Sequence, residues 1–214
     1  MQIPNSPANL LDGLAKFISA IFHPVFIPFG FFLLASPAQF QYTSIWEPVL
    51  ALGILVVAPL GASLLYFRKH GIRDIFVIDK KHRPLPFAFN IVGLLGFSFF
   101  IPPQAQALGY DIWLLPWLGS FLIANIIGMV ITLYWKISLH MMGIGLTAAW
   151  LVIYLWGESW FWLPTGGLFL FTLAIAWARR QLNSHNLLQL LVGWAVGIAI
   201  VTGIALVISN LEYP

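Results

Sequence analysis

Residues 187–209 read LLQLLVGWAVGIAIVTGIALVIS, an uninterrupted stretch without Asp, Glu, Lys or Arg. A hydrocarbon core about 30 Å thick takes close to 20 apolar residues per helical crossing, and this run has that length. Lipid supplies no water to bond an exposed backbone, so the run reads as a transmembrane α-helix. Six more uncharged runs of similar length precede it, at 17–36, 48–67, 85–102, 113–134, 138–156 and 161–178. The expected fold is therefore all-α: a polytopic transmembrane bundle of about seven helices, six remaining admissible, in one integral membrane domain over 1–214. Composition agrees. Hydrophobic residues make up 60% of the 214 positions and charged residues 8%, against roughly a quarter charged in soluble domains. So few charges cannot cover a soluble surface. With no cysteine in the chain, disulfides and thiolate metal sites are excluded.

The joints between runs are short and carry helix-breaking residues, as at Pro102-Pro103, Gly157-Glu158 and Asn183-Ser184. None is long enough to divide domains. The first run lies too far into the chain, and holds too many prolines and aromatics, to read as a cleaved signal peptide, so it is expected to be a permanent helix. Pro24, Pro28, Pro59 and Pro116 are expected to kink helices and free backbone carbonyls. Trp46, Trp113, Trp156, Trp160 and Trp162 fall at run ends, where interfacial anchors belong. Asn125, inside the fourth run, is expected to bond across to a neighbouring helix.

If the seven runs alternate direction, every basic residue falls on one face: Lys16, Arg68, Lys69, Arg73, Lys80, Lys81, Arg83, Lys136, Arg179 and Arg180. The opposite face receives Glu47, Asp111, Glu158 and Glu212 and no cation. Dropping or adding one crossing would scramble that segregation. His70, His82, His140 and His185 also fall on or beside the basic face, and His23 lies a few residues into the first run. The expected role of His23, before Pro24, is a hydrogen bond to a neighbouring helix carbonyl.

Three joints on this face deliver particular residues to the start of a helix. The third begins after Asp79-Lys80-Lys81-His82-Arg83-Pro84, with proline suited to a first helical position. The fifth begins at Lys136-Ile137-Ser138-Leu139-His140, with Ser138 as a cap. The seventh follows Ala178-Arg179-Arg180-Gln181-Leu182-Asn183-Ser184-His185, where Asn183 or Ser184 is the expected cap. Helix N-termini carry unpaired N–H groups and the positive end of the macrodipole, so three of them flanked by Arg and Lys suggest a phosphate pocket. Arg83 and Arg179 offer planar donor forks for two phosphate oxygens at once. His185 and Gln189, four apart, share a helix face, so the amide oxygen can accept from the imidazole and select its tautomer.

These motifs resemble those of the type 2 phosphatidic acid phosphatase superfamily, whose membrane members hydrolyse lipid phosphates without metal or other cofactor. Ala178-Arg179, five residues, His185, three residues, Gln189 matches the spacing of that family's third motif. Ile137-Ser138-Leu139-His140 keeps the Ser and His of the second, and Arg83-Pro84 the end of the first. The resemblance spans about residues 80–190. It implies that His185 attacks phosphorus to form a phosphohistidine and that His140 protonates the leaving alkoxide. Arg83, Arg179 and Ser138 would hold the phosphoryl oxygens, with Lys80 standing in for the first-motif lysine, whose place at position 76 is taken by Phe. Leu139 replaces a glycine and Gln189 an aspartate. The implied substrate is a polyprenyl or glycerolipid phosphate entering from surrounding membrane lipids, with no nucleic-acid partner.

Two alternatives stand beside this reading. One is a noncatalytic relative that binds or carries phosphorylated lipids in the same cradle, suggested by the lost lysine and aspartate. The other is a histidine-ligated haem or metal protein, which the surrounding cations oppose. A bacterial inner membrane is the expected location. The excess of Lys and Arg predicts a cytoplasmic basic face, whereas the resemblance admits a periplasmic one.

Overall fold

The computed structural model describes residues 10–24, 26, 46–72, 82–99, 111–157, 159 and 161–212. Among these the chain forms seven helices and no strand. α1 spans Leu10–Ile21. α2 runs through Trp46–Leu52, a π-helical turn at Gly53–Val57, and Ala58–Lys69. α3 is Pro84–Phe99, α4 Asp111–Tyr134, α5 Leu139–Leu155, α6 Trp162–Gln181 and α7 Leu187–Glu212. Three stretches, Val49–Lys69, Pro116–Tyr134 and Leu187–Asn210, are long and apolar enough to cross a membrane, and α3 and α5 are apolar but shorter. Leu65, Val92, Leu170 and Leu206 point outward, which suits a surface solvated by lipid rather than water. The protein is a polytopic helical membrane protein.

Helix directions follow from cross-helix contacts. Gln181 at the end of α6 bonds Asp12 at the start of α1, while Phe22 meets Phe171 ten residues up α6, so α1 and α6 are antiparallel. Gly93 of α3 faces Ile54 and Pro59 of α2, and Tyr66 bonds His82, so α2 and α3 are antiparallel too. Trp150 of α5 donates to Ser120 of α4, while Gly128 of α4 lies against Leu139 and Met142 near the start of α5. The N-terminal ends of α1, α3, α5 and α7 therefore share one end of the bundle with the C-terminal ends of α2, α4 and α6. The described basic residues collect there, and Glu47, Asp111 and Glu212 sit at helix ends on the other side. Arg73, Lys80, Lys81 and Glu158 lie outside the described residues.

The first run differs from expectation. The helix begins at Leu10 and ends at Ile21; of the 17–36 run, the stretch from 27 onward lies outside the described residues. Asp12 and Lys16 kept residues 10–16 out of an uncharged window, yet Asp12 finds Gln181 at 2.9 Å. His23 precedes a proline, which disfavours helical backbone and closes α1 beside the basic end. Asn125 also differs: its amide donates to Phe121 O, one turn back in its own helix, at 2.8 Å. The π turn in α2 lies just before Pro59, whose missing N–H interrupts the regular ladder.

The closest helix pair is α5 with α7, and it is parallel. Gly193 and Gly197, one turn apart on α7, lie against the backbone of Ser138 and Met142 on α5. Small residues at this spacing let membrane helices approach to backbone contact. A Cβ on Gly197 would collide with the Met142 carbonyl oxygen, which is not a side chain that can turn aside. Gly197→Ala is expected to cost about 1–3 kcal/mol of stability by overpacking and to spread the ends of α5 and α7, read as a lower Tm. An unchanged Tm would show that the two helices are not held at this distance.

Candidate active site

The turn from α6 into α7 ties Arg179 to His185 through the backbone. α6 ends at Gln181, and Asn183 adopts φ 50°, the left-handed conformation that closes helices and that Asn tolerates better than most residues. The freed Arg179 carbonyl then accepts from Ser184 N at 3.1 Å and His185 N at 3.4 Å. The five-residue gap between Arg179 and His185 is thus the length of one helix closure. Asn183 therefore terminates α6 rather than capping α7.

The cap of α7 is Asn186. Its side-chain oxygen accepts from Gln189 N at 2.9 Å, and Gln189 Oε1 accepts from Asn186 N at 3.1 Å, the reciprocal pairing of a capping box. Gln189 Oε1 also lies 3.2 Å from His185 Nδ1. A backbone N–H can only donate, so the atom facing Asn186 N is the amide oxygen, and His185 Nδ1 must carry the proton it shares with that oxygen. In neutral His185 the lone pair is left on Nε2. Burial, then the charges of Arg179 and Lys136, pull the His185 pKa down to about 3 against the opposing pull of Gln189, and Arg83 lowers it further. The ring is neutral at physiological pH.

At the start of α5, Ser138 Oγ accepts from Met141 N at 3.4 Å, and Ser138 N donates to Gln189 O at 3.3 Å. Ser138 is fully buried and caps its helix, as expected from sequence, but it does not line the cavity described next. His140 follows in the first turn, also buried. Its Nε2 lies 3.0 Å from Ser19 O of α1, and since a carbonyl only accepts, that nitrogen carries a proton. The His23 ring stands edge-on to His140 at 5.8 Å.

His185, His140, Arg83 and Arg179 all line one cavity of about 160 Å³, together with Lys136 and His23. That is near the roughly 150 Å³ of an engineered cavity that holds benzene, so a phosphoryl group and its first carbons fit, and a whole lipid does not. Leu60, Leu64, Phe67 and Phe87 form its apolar side. Among the described residues no carboxylate lines it, and burial with Arg83 and Arg179 nearby lowers the Lys136 pKa. Three cations lining one cavity favour an anion.

Four of the seven residues assigned from sequence thus meet in one cavity, and Gln189 supports His185 from behind. Lys80 lies outside the described residues. Sequence reasoning placed Lys136 among the basic-face residues and missed its place in the cavity; the available signal was its position two residues before Ser138. His23, expected from sequence to bond a helix carbonyl, also lines the cavity. Asn90 and Thr132, also in the wall, carried no signal, since an isolated polar residue in an apolar run names no partner. Comparison with protein-family models, with curated proteins and with solved structures finds no match to the chain.

Proposed function

We propose that the protein is an integral membrane lipid phosphate phosphatase acting through a phosphohistidine on His185. The observation that supports this most is a neutral imidazole with its tautomer selected by Gln189, standing in a cavity whose charged lining residues are Arg83, Lys136 and Arg179. Nε2 attacks phosphorus as the bond from phosphorus to the lipid oxygen breaks, and the cations hold the phosphoryl oxygens as charge builds. With its one proton on Nε2 and directed at Ser19 O, neutral His140 presents a bare Nδ1 to the cavity, so the leaving alkoxide takes its proton from water. Water then attacks the phosphohistidine, releasing inorganic phosphate. The lysine and arginine excess favours the cytoplasmic side of a bacterial inner membrane for this end.

The test is phosphate release from lipid phosphate monoesters by the purified protein. Protonation of His185 removes its nucleophilic lone pair, so an ordinary imidazole would lose activity below about pH 6.5. With a pKa of about 3, His185 is expected to contribute no acid limb to kcat/KM between pH 4 and 7. A His185-dependent limb near 6.5 would contradict the site described above.

The second reading, a binder without turnover, is favoured by one observation: Gln189, the residue bonded to His185 Nδ1, is an uncharged amide engaged in a capping box and adds no countercharge to a forming imidazolium. Gln189→Glu keeps the length and the capping box and adds that charge. It is expected to raise phosphate release about tenfold, the value of roughly one charge-assisted hydrogen bond. A protein whose native form and Gln189→Glu variant both bind vanadate and release no phosphate is a binder.

A further inference from the structure

Hydrolysis of a lipid phosphate needs a proton delivered to the departing oxygen and another withdrawn from the attacking water. Water alone is a weak acid, and giving up its proton leaves a hydroxide for the site to neutralise. Among the described residues, six titratable side chains line the cavity: His23, Arg83, Lys136, His140, Arg179 and His185. Arginine keeps its proton at any ordinary pH. His185 is the nucleophile of the reading above, and the one proton of His140 points at Ser19 O. A donor must carry its charge before the reaction begins. Lysine does so at rest, whereas a neutral imidazole such as His23 would first have to gain one among three cations.

The backbone holds Lys136 at the α4–α5 joint from both sides. Trp135 N donates to Ile131 O at 2.8 Å and closes α4, Ile137 is buried, and Ser138 N donates to Gln189 O of α7 at 3.3 Å. The lysine between them is half-buried and lines the cavity, so it meets both a bound phosphate and solvent. Because the cavity takes only a phosphoryl group and its first carbons, the scissile oxygen lies close to the walls. Burial, then Arg83 from α3 and Arg179 from the end of α6, make the ammonium proton easier to release. His185, in the α6–α7 turn, is near enough to feel the charge of Lys136.

We infer that Lys136 is the proton donor of this site, acting through the water beside the leaving oxygen, and that its amine later recovers a proton from the water that splits the phosphohistidine. The inference rests on the phosphatase reading and adds proton transfer to a residue placed there as a holder of the anion. In the first step the bond from His185 Nε2 to phosphorus forms as the phosphorus–oxygen bond breaks. The alkoxide takes a proton from water, and the hydroxide so formed takes one from the Lys136 ammonium. In the second step water attacks phosphorus and its proton passes to the Lys136 amine, while the phosphorus–nitrogen bond breaks to free phosphate and neutral His185. The proton given up in the first step is restored in the second, so each turnover consumes one water and leaves the lysine charged again.

The experiment compares kcat/KM for two phosphate monoesters bearing the same alkyl chain, with the full-length protein in detergent. One releases an alkoxide and needs the proton; the other releases a nitrophenolate and does not. Lys136→Arg keeps the positive charge and cannot give up a proton. It is expected to lower the alkyl value about a hundredfold, the low end of general acid catalysis, and the nitrophenyl value less than about tenfold. Vanadate affinity is expected to change only a few-fold, which also shows that the variant is folded. In native protein the ratio of the alkyl to the nitrophenyl value is expected to fall as pH rises through the range of Lys136, which lies below that of an ordinary lysine. Losing the charge slows both esters, and losing the proton slows only one, so this comparison needs no variant. Equal losses on the two esters in Lys136→Arg, or a ratio that stays flat with pH, overturn the inference and leave Lys136 a holder of the anion. A loss confined to the alkyl ester in His23→Gln, with none in Lys136→Arg, assigns the proton to His23 and overturns it too. No phosphate release from either ester by native protein refutes the phosphatase reading itself, and this inference with it.

Discussion

Phosphate release is expected to fall by at least about a thousandfold in His185→Ala, because removing a covalent nucleophile removes the route and not merely a contact. Vanadate affinity is expected to change only a few-fold in the same variant, since a neutral imidazole contributes about one ordinary hydrogen bond to an anion already held by three cations. The contrast between the two readouts identifies the role. A variant that loses binding and release in parallel has lost the pocket. One that retains release shows that another group attacks phosphorus. His185 and Gln189 both participate in the α6–α7 turn, so vanadate binding also reports whether the turn has survived.

The second large effect is expected at Arg179. Its side chain is buried at the end of α6, only 4% exposed, where hydrogen bonds to an anion are poorly screened. Arg179→Ala is expected to weaken vanadate binding by about a hundredfold, within the 2–5 kcal/mol typical of truncating one side of a buried charged contact. Arg68→Ala, at the same end of the bundle but not lining the cavity, is expected to change it less than about twofold. Arg179 also lowers the His185 pKa, so its removal is expected to move protonation of that ring upward in pH. Equal losses in the two variants would indicate a diffuse positive surface in place of a site.

The fold was legible because the bilayer leaves few choices. An uncharged run of about 20 residues must bond its own backbone, so helices α2 to α7 lie within a few residues of the runs that announced them. The exception is α1, where Asp12 and Lys16 hid a helix whose Asp12 bonds Gln181 of α6. Contacts of that kind are tertiary, and no window along the chain contains them. Charge segregation indicated the alternation of the helices for the same reason the runs did: misplaced cations would have to cross hydrocarbon.

The candidate site was legible where spacing is local. The gap from Arg179 to His185 reflects one helix closure, and that from His185 to Gln189 one helical turn. Which Asn serves which cap was not legible, because Asn183 suits a left-handed closure and a cap equally well until the backbone decides. The place of Gln189 in a capping box also accounts for an amide at that position without reference to catalysis. Lys136, His23 and Asn90 come from three different elements, and only the packing of α1, α3 and the α4–α5 joint around one cavity brings them together.

The central claim, that His185 becomes covalently phosphorylated, is tested most directly by trapping. The protein is mixed with a radiolabelled lipid phosphate, quenched in alkali, where a phosphohistidine survives, and digested to locate the label by mass spectrometry. The account predicts label on His185, greater in Gln189→Glu if that change speeds its formation more than its hydrolysis, and none in His185→Ala. Steady phosphate release with no label on His185, or with label on another residue, would contradict it.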